Sequence, residues 1–160
     1  MRKLIIFDLD QTVIDSGHRY AVLSNGDIDL SYWRQHSTPK LIARDKLLPM
    51  AKFMRAQFAI TGNMVAICTA RIMSIWDWKF LRDNDLPFHF AMHRLDNINT
   101  KDAILKKQQI LKLAADLKLS PSQFSKIEIY DDNPTVLDMA EKLGIKPFCS
   151  VQFNNAELSS

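Results

Sequence analysis

The chain has 160 residues, 47% of them hydrophobic and 24% charged, with a formal net charge of +3. This length and apolar content exclude a disordered chain and fit one domain with a sizeable core. No run approaches the roughly 20 apolar residues that a bilayer span needs, and the mild basicity permits an anionic partner without requiring one.

The first predicted element is a buried strand over residues 3–8, because Leu4-Ile5-Ile6-Phe7 is a continuous apolar run. It ends in Asp8-Leu9-Asp10-Gln11-Thr12. Two carboxylates two positions apart at a strand end repel each other unless a cation or a shared proton compensates. In open α/β sheets, strand carboxyl ends face the ligand crevice. Because Asp8 follows only four apolar residues, no secretory leader is expected.

Residues 13–43 read as irregular, with a small hairpin flap from Tyr20 to Tyr32 turning at Asn25-Gly26. A helix over 45–60 follows, with Leu47, Leu48, Ala51, Met54 and Phe58 as its apolar stripe and Gly62 as its stop. Met64 to Cys68 is a second buried strand, followed by Thr69-Ala70-Arg71 and a helix to about Asn84. On that helix Trp78 and Arg82 share one face, where Trp78 is a stacking platform beside Arg82 or, as the favoured reading, partly buried, and Trp76 and Phe80 lean toward the core. A short strand lies within 87–92. Thr100 is the expected N-cap of a helix over 101–118, and 120–125 is a loop. Ile127 to Tyr130 is another strand, ending in Asp131-Asp132. Asn133-Pro134 opens a helix closed by Gly144, and 146–151 is the fifth strand.

Alternating strands and helices predict an α/β, Rossmann-like three-layer sandwich around a five-stranded, mainly parallel sheet. A single domain over 1–153 and a frayed polar tail over 154–160 are expected. Cys68 and Cys149 lie in apolar runs without metal-ligand spacing and are expected to be reduced, buried thiols of a soluble, cytoplasmic protein.

Asp8-Leu9-Asp10-Gln11-Thr12, Thr69 after a strand, Lys101 at a helix start, and Asp131-Asp132 after a strand occur in that order. Together they resemble the four motifs of the haloacid dehalogenase superfamily of phosphohydrolases. One departure is Gln11, where the family usually has glycine. The resemblance implies a phosphomonoesterase in which Asp8 is the nucleophile and Asp10 the acid–base group. Thr69 would bind a phosphoryl oxygen, and Lys101 would neutralise charge, with Lys106 and Lys107 as alternatives deeper in the helix. Mg²⁺ would be held by Asp8, Asp10 (through its backbone carbonyl), Asp131 and Asp132.

Within that superfamily the chain resembles the 3′-phosphatase domains of phage polynucleotide kinase-phosphatases. Arg19, eleven residues after Asp8, and Arg71, two after Thr69, match active-site arginines there, and with Thr12 they are the expected substrate-binding residues. Thr100-Lys101-Asp102-Ala103-Ile104-Leu105-Lys106 matches the lysine segment. No Gly-x-x-x-x-Gly-Lys-Ser/Thr loop is present, so the likeness is to the phosphatase half.

Neither interval between the motifs holds a large cap domain, which predicts an open site for a bulky substrate. The expected substrate is therefore a phosphorylated nucleic-acid end or a nucleotide, with removal of a terminal 3′ phosphate as the leading activity. A nucleotide 5′-phosphatase or small-metabolite phosphatase is the alternative. Interleaved Arg and aromatic residues from Arg19 to Arg44, Trp33 among them, suit a phosphate backbone and stacked bases equally with a structural anchor. A receiver-type phosphoacceptor fits less well, since its paired acids come on the first strand. A non-catalytic binding protein on the same fold has no need of both Asp8 and Asp10.

Overall fold

The computed structural model describes all 160 residues. Its central sheet has five parallel strands: β1 (Leu4–Phe7), β4 (Met64–Ile72), β5 (Phe90–Arg94), β6 (Ile127–Asp131) and β7 (Lys146–Cys149). Their spatial order is β5-β4-β1-β6-β7, with β1 at the centre. A second sheet pairs β2 (Ile14–Asp15) with β3 (Lys46–Leu47), antiparallel.

Period-two alternation divides the sheet into two apolar faces. Ile5, Phe7, Val65 and Ile67 face α3 (Met50–Ala59) and α4 (Ile75–Asp83), packing with Met50, Met54, Phe80 and Leu81. Leu4, Ile6, Ala66, Cys68, Ile127 and Ile129 face α5 (Asp102–Asp116) and α6 (Pro134–Lys142), packing with Ile110, Leu113, Val136 and Ala140. The helices on both faces give the three layers that the sequence pattern predicts, and no cap domain interrupts them.

Several local expectations are corrected. The flap is not a full hairpin. Its turn forms with Gly26 at φ 86°, but only Val22 and Ile28 pair. From Leu30 the chain coils into α1 (Leu30–His36), because the Asp29 side chain accepts the Tyr32 amide and caps it. A short α2 (Pro39–Ile42) follows, capped by Thr38. The helix expected over 45–60 starts only at Met50, since residues 46–47 pair as β3. The N-cap of α5 is Lys101, not Thr100, and it makes no side-chain cap bond. Residues 121–126 form a 3₁₀ helix.

The largest correction is at the C-terminus. β7 ends at Cys149, and Ser150–Leu158 form α7 instead of a strand end and a frayed tail. Asn154 fixes it: its carbonyl accepts the Met50 amide at 2.9 Å, and its Nδ2 donates to the Thr12 carbonyl at 2.9 Å. No helix is long and apolar enough to cross a membrane.

Candidate active site

The carboxyl ends of β1 and β6 lie side by side, because Phe7 pairs with Tyr130 and the Asp8 amide donates to the Tyr130 carbonyl at 3.0 Å. The next residues of the two strands are therefore neighbours. Carboxylate oxygens of Asp8, Asp131 and Asp132 all lie within 4.8 Å of one another. Asp131 and Asp132 are not consumed in starting α6. Asn133 is its N-cap, and its Oδ1 accepts the Thr135 amide at 2.9 Å.

One cation serves this set, and it is Lys106. Its Nζ donates to Asp131 Oδ2 at 2.6 Å and lies 3.0 Å from Asp8 Oδ1, with the side chain buried. This corrects the assignment of Lys101, which is exposed on the end of α5. Lys106 sits four residues before Ile110, on the helix stripe that faces the sheet, so its ammonium reaches β1 and β6. Burial pushes Asp8 well above the usual carboxylate range against the pull of Lys106, with Asp131, Asp132 and Asp10 adding like charge. Burial and then Asp131 push Asp132 up to about 7. Lys106 is raised well above the ordinary lysine range: burial opposes its charge, but Asp131 and Asp8 outweigh that. With all three acids ionised, one ammonium leaves two negative charges uncompensated. A hard divalent cation with oxygen ligands, such as Mg²⁺, matches that donor set and charge.

Asp10 lines the same cleft but turns from the three acids. It takes a fork from Arg71, Nε at 2.9 Å and Nη2 at 2.8 Å, and a hydrogen bond from the Ser16 hydroxyl. Burial alone would raise its carboxyl; the charge and hydrogen bonds of Arg71, with Ser16 and Arg19, reverse this and hold it below the usual range. Its side chain is thus committed to Arg71 and not to the acid cluster.

The expected phosphate grip of Arg19 and Arg71 is corrected, because both side chains are fully buried and turned to carboxylates of the protein, with the Ser37 hydroxyl on Arg19 Nη1. Arg19 makes a bidentate pair with Asp45 at 2.8 and 2.6 Å. Arg71 adds Asp77 at 3.1 Å to its pair with Asp10. Trp33 packs against both guanidinium groups, 4.4 and 5.0 Å from ring centroid to Cζ, which assigns it to anchoring. Thr12 is also withdrawn from substrate binding, since it is buried and donates to Ser150 at 2.9 Å. Thr69 is buried within β4, where its hydroxyl accepts the Arg71 amide at 3.2 Å. β4 continues past the end of β1, and its ladder to β5 shifts register between Cys68 and Ile72; of residues 69–71 only Ala70 lines the cleft.

The site is not open. Tyr20 and Ile28 of the flap, with Ala70, Asp102 and Asn133, close the cleft to about 10 Å³, room for one water. The flap is tied down where the Ile28 amide donates to Asp102 Oδ2 at 2.7 Å and Asn133 Nδ2 to the Gly26 carbonyl at 3.1 Å. Asp102 is fixed in turn by Arg94 at 2.6 Å. A buried acid in the first turn of α5 was a visible signal for this latch, but its partners are 74 and 8 residues away along the chain. On α4, Trp78 is partly buried against the core, as favoured, whereas Trp76, expected toward the core, is the exposed tryptophan.

The sequence matches, over residues 1–159, the family described as bacteriophage T5 5′-deoxynucleotidase. A curated relative, the 5′-deoxynucleotidase of Escherichia phage T5, is 38% identical over 87 residues, 52% of this chain and 36% of that protein. The match thus spans about a third of that relative's length. Among solved structures, a chain of the Pnkp1/Rnl/Hen1 RNA repair complex superposes with a TM-score of 0.64 at 21% identity, covering 92% of this chain and 42% of that one. A haloacid dehalogenase-like hydrolase from Streptococcus pneumoniae superposes with a TM-score of 0.66 at 16% identity, covering 91% and 82%. The parallel sheet with acids at the ends of two adjacent inner strands is the haloacid dehalogenase fold, and the chain belongs to the bacteriophage T5 5′-deoxynucleotidase family.

Proposed function

We propose that the protein is a Mg²⁺-dependent phosphomonoesterase that hydrolyses nucleotide phosphates through an aspartyl-phosphate, with deoxynucleoside 5′-monophosphates as its first substrate class. The observation that carries the reaction is the convergence of Asp8, Asp131 and Asp132 around one buried ammonium at adjacent strand ends. The substrate class rests on the family match. The nucleic-acid 3′-end reading loses its local support, because Arg19 and Arg71 are buried and each of their guanidinium nitrogens is already bonded within the protein.

Asp8, Asp131 and Asp132 would hold Mg²⁺. That ion supplies charge neutralisation at the phosphoryl oxygens. An Asp8 oxygen attacks phosphorus, the bond to the nucleoside oxygen breaks, and Asp10 in its protonated form gives that oxygen the proton with which it leaves. Lys106 keeps the nucleophilic oxygen placed and offsets charge gathered on the phosphoryl group. Water then attacks the aspartyl-phosphate, gives up a proton and regenerates Asp8 with release of inorganic phosphate. Asp10, favoured as a carboxylate by Arg71, is suited to take that proton. Because the closed cleft holds about one water, the nucleotide enters only when the Tyr20–Ile28 flap lifts.

Phosphate release from a panel of 5′-dNMPs, 5′-rNMPs, 3′-dNMPs and a 3′-phosphorylated oligonucleotide tests the proposal, with Mg²⁺ and with EDTA. Mg²⁺-dependent release, highest from 5′-dNMPs, is expected. Release from the oligonucleotide alone would overturn the substrate class, and none from any compound would overturn the reaction.

A further inference from the structure

Asp10 belongs to a group of buried charges of which the reaction uses no other member. Arg19, Arg71, Asp10, Asp45 and Asp77 are all buried, the two arginines and Asp77 completely, and come from five separate stretches of chain. Arg71 is the hub. Its Nε and Nη2 grip Asp10, its Nη1 donates to Asp77 Oδ1 at 3.1 Å, and its Nη2 lies 3.6 Å from Asp45 Oδ2. Arg19 Nη2 bridges Asp45 at 2.6 Å and Asp77 at 3.4 Å, and Trp33 closes one side of both guanidinium groups. Buried ion pairs add little net stability over apolar residues of similar volume, so five together need a reason other than holding the fold.

The reason follows from where Asp10 points. It is two residues from Asp8 and lines the same cleft, yet its carboxylate is not among the three that converge. A planar guanidinium has fixed donor directions. With Nη1 anchored on Asp77, the opposite edge of Arg71 faces Asp10 and draws its carboxylate away from the other acids.

We infer that Asp77 and Asp45 are positioning residues that orient the Arg71 fork, and that this fork keeps the Asp10 carboxylate out of the cation-binding set and beside the reacting water. The inference rests on the proposed metal and phosphatase roles of the site, but its first test does not use turnover.

Mg²⁺ titration of wild type and Arg71→Lys by calorimetry tests it. Lysine keeps the charge and loses the fork, so electrostatic repulsion of the ion is unchanged while Asp10 is freed to join it. The Mg²⁺ dissociation constant of Arg71→Lys is expected to fall about tenfold, since ligand charge count sets such affinities. An equal or weaker affinity, in a variant with the native circular dichroism spectrum, overturns the inference. A second pair of variants serves if Arg71→Lys does not fold. Ser74 and Asp77 form a capping box on α4, so Ser74→Ala and Asp77→Asn both weaken the cap. Only Asp77→Asn is expected to lower kcat, about tenfold with KM unchanged, as loss of an orienting partner does. Equal losses in the two would make Asp77 a helix cap alone and overturn its assignment. Wild type that binds Mg²⁺ but releases no phosphate would instead count against the proposed reaction, leaving the titration result standing.

Discussion

Lys106 Nζ lies 2.6 Å from Asp131 Oδ2, across 25 residues of sequence, and the same ammonium stands 3.0 Å from Asp8. It is the one cation paired with the acid cluster, touching two of its three members. Lys106→Ala is expected to lower kcat by about 10²–10³, the usual cost of removing a preorganised charge at a reacting centre. Lys101→Ala, at an exposed position, is expected to stay within about twofold of wild type. Phosphate release from a deoxynucleoside 5′-monophosphate measures both. A large loss in Lys101→Ala with a mild one in Lys106→Ala would reverse the assignment.

Asp8→Asn removes the attacking oxyanion while conserving volume. Turnover is expected to vanish, and Asp8 to be the residue that carries phosphate when wild type is quenched during reaction and analysed by mass spectrometry. The substitution also removes one of three crowded acids, the one whose proton affinity the like charges of Asp131 and Asp132 raise, so the metal-free protein should melt no lower than wild type. Near-normal turnover in Asp8→Asn would sink the nucleophile assignment.

The acids were legible because they sit at the ends of strands that announce themselves. Leu4–Phe7 and Ile127–Tyr130 are apolar runs too short for helices, and whatever follows them must emerge at one edge of the sheet. Lys106 was harder, since a lysine near a helix start is usually solvated, yet its alignment with Ile110 and Leu113 on the buried stripe of α5 was readable. The arginines were identified and given the wrong work. Nothing local shows that Arg19 and Arg71 point inward, because their partners Asp45 and Asp77 come from elsewhere and Asp77 also looks like an ordinary capping residue. In the flap, Asn25-Gly26 signalled a hairpin correctly at the turn, but the Asp29 cap and burial of Trp33 drew the second arm into a helix. Gln11 adopts φ 55°, a left-handed conformation that glycine enters without strain, which accounts physically for glycine being usual there.

Mg²⁺ should stabilise the fold, because it binds the native acid cluster and finds no such cluster in the unfolded chain. At a hundredfold excess over the dissociation constant the gain is about 2.7 kcal/mol. For a domain of 160 residues this is roughly 5–10 °C in Tm. Differential scanning calorimetry with Mg²⁺ and with EDTA measures it, and Asp132→Asn should reduce the shift. An unchanged Tm in wild type at saturating Mg²⁺ would count against the cluster as a cation site.

Asn154 ties the last helix to two distant segments through a buried amide, so α7 belongs to the fold. Asn154→Ala leaves the Met50 amide and the Thr12 carbonyl without those partners inside the protein. The expected cost is about 2–4 kcal/mol, from two unsatisfied buried groups. Urea unfolding should show a lower midpoint with an unchanged slope. A midpoint equal to wild type would mean that the C-terminal segment is detachable.

The two cysteines should separate cleanly by reactivity. Cys68 is fully buried on the α5 face of β4, and burial pushes its thiol up to about 12, with the nearby acids adding to the shift against Lys106. The thiolate is the reactive form, so at pH 8 Cys68 has neither the charge nor the access to meet a disulfide reagent. Cys149, expected to be buried like Cys68, is instead partly exposed where β7 passes into α7, and has the access. Ellman's reagent is expected to modify one thiol in the native protein, identified as Cys149 by peptide mapping, and both after unfolding in guanidinium. Modification of Cys68 at a comparable rate in the native state would require the α5 layer to open on the time scale of labelling. The buried contacts of Lys106 with β1 and β6 oppose that opening.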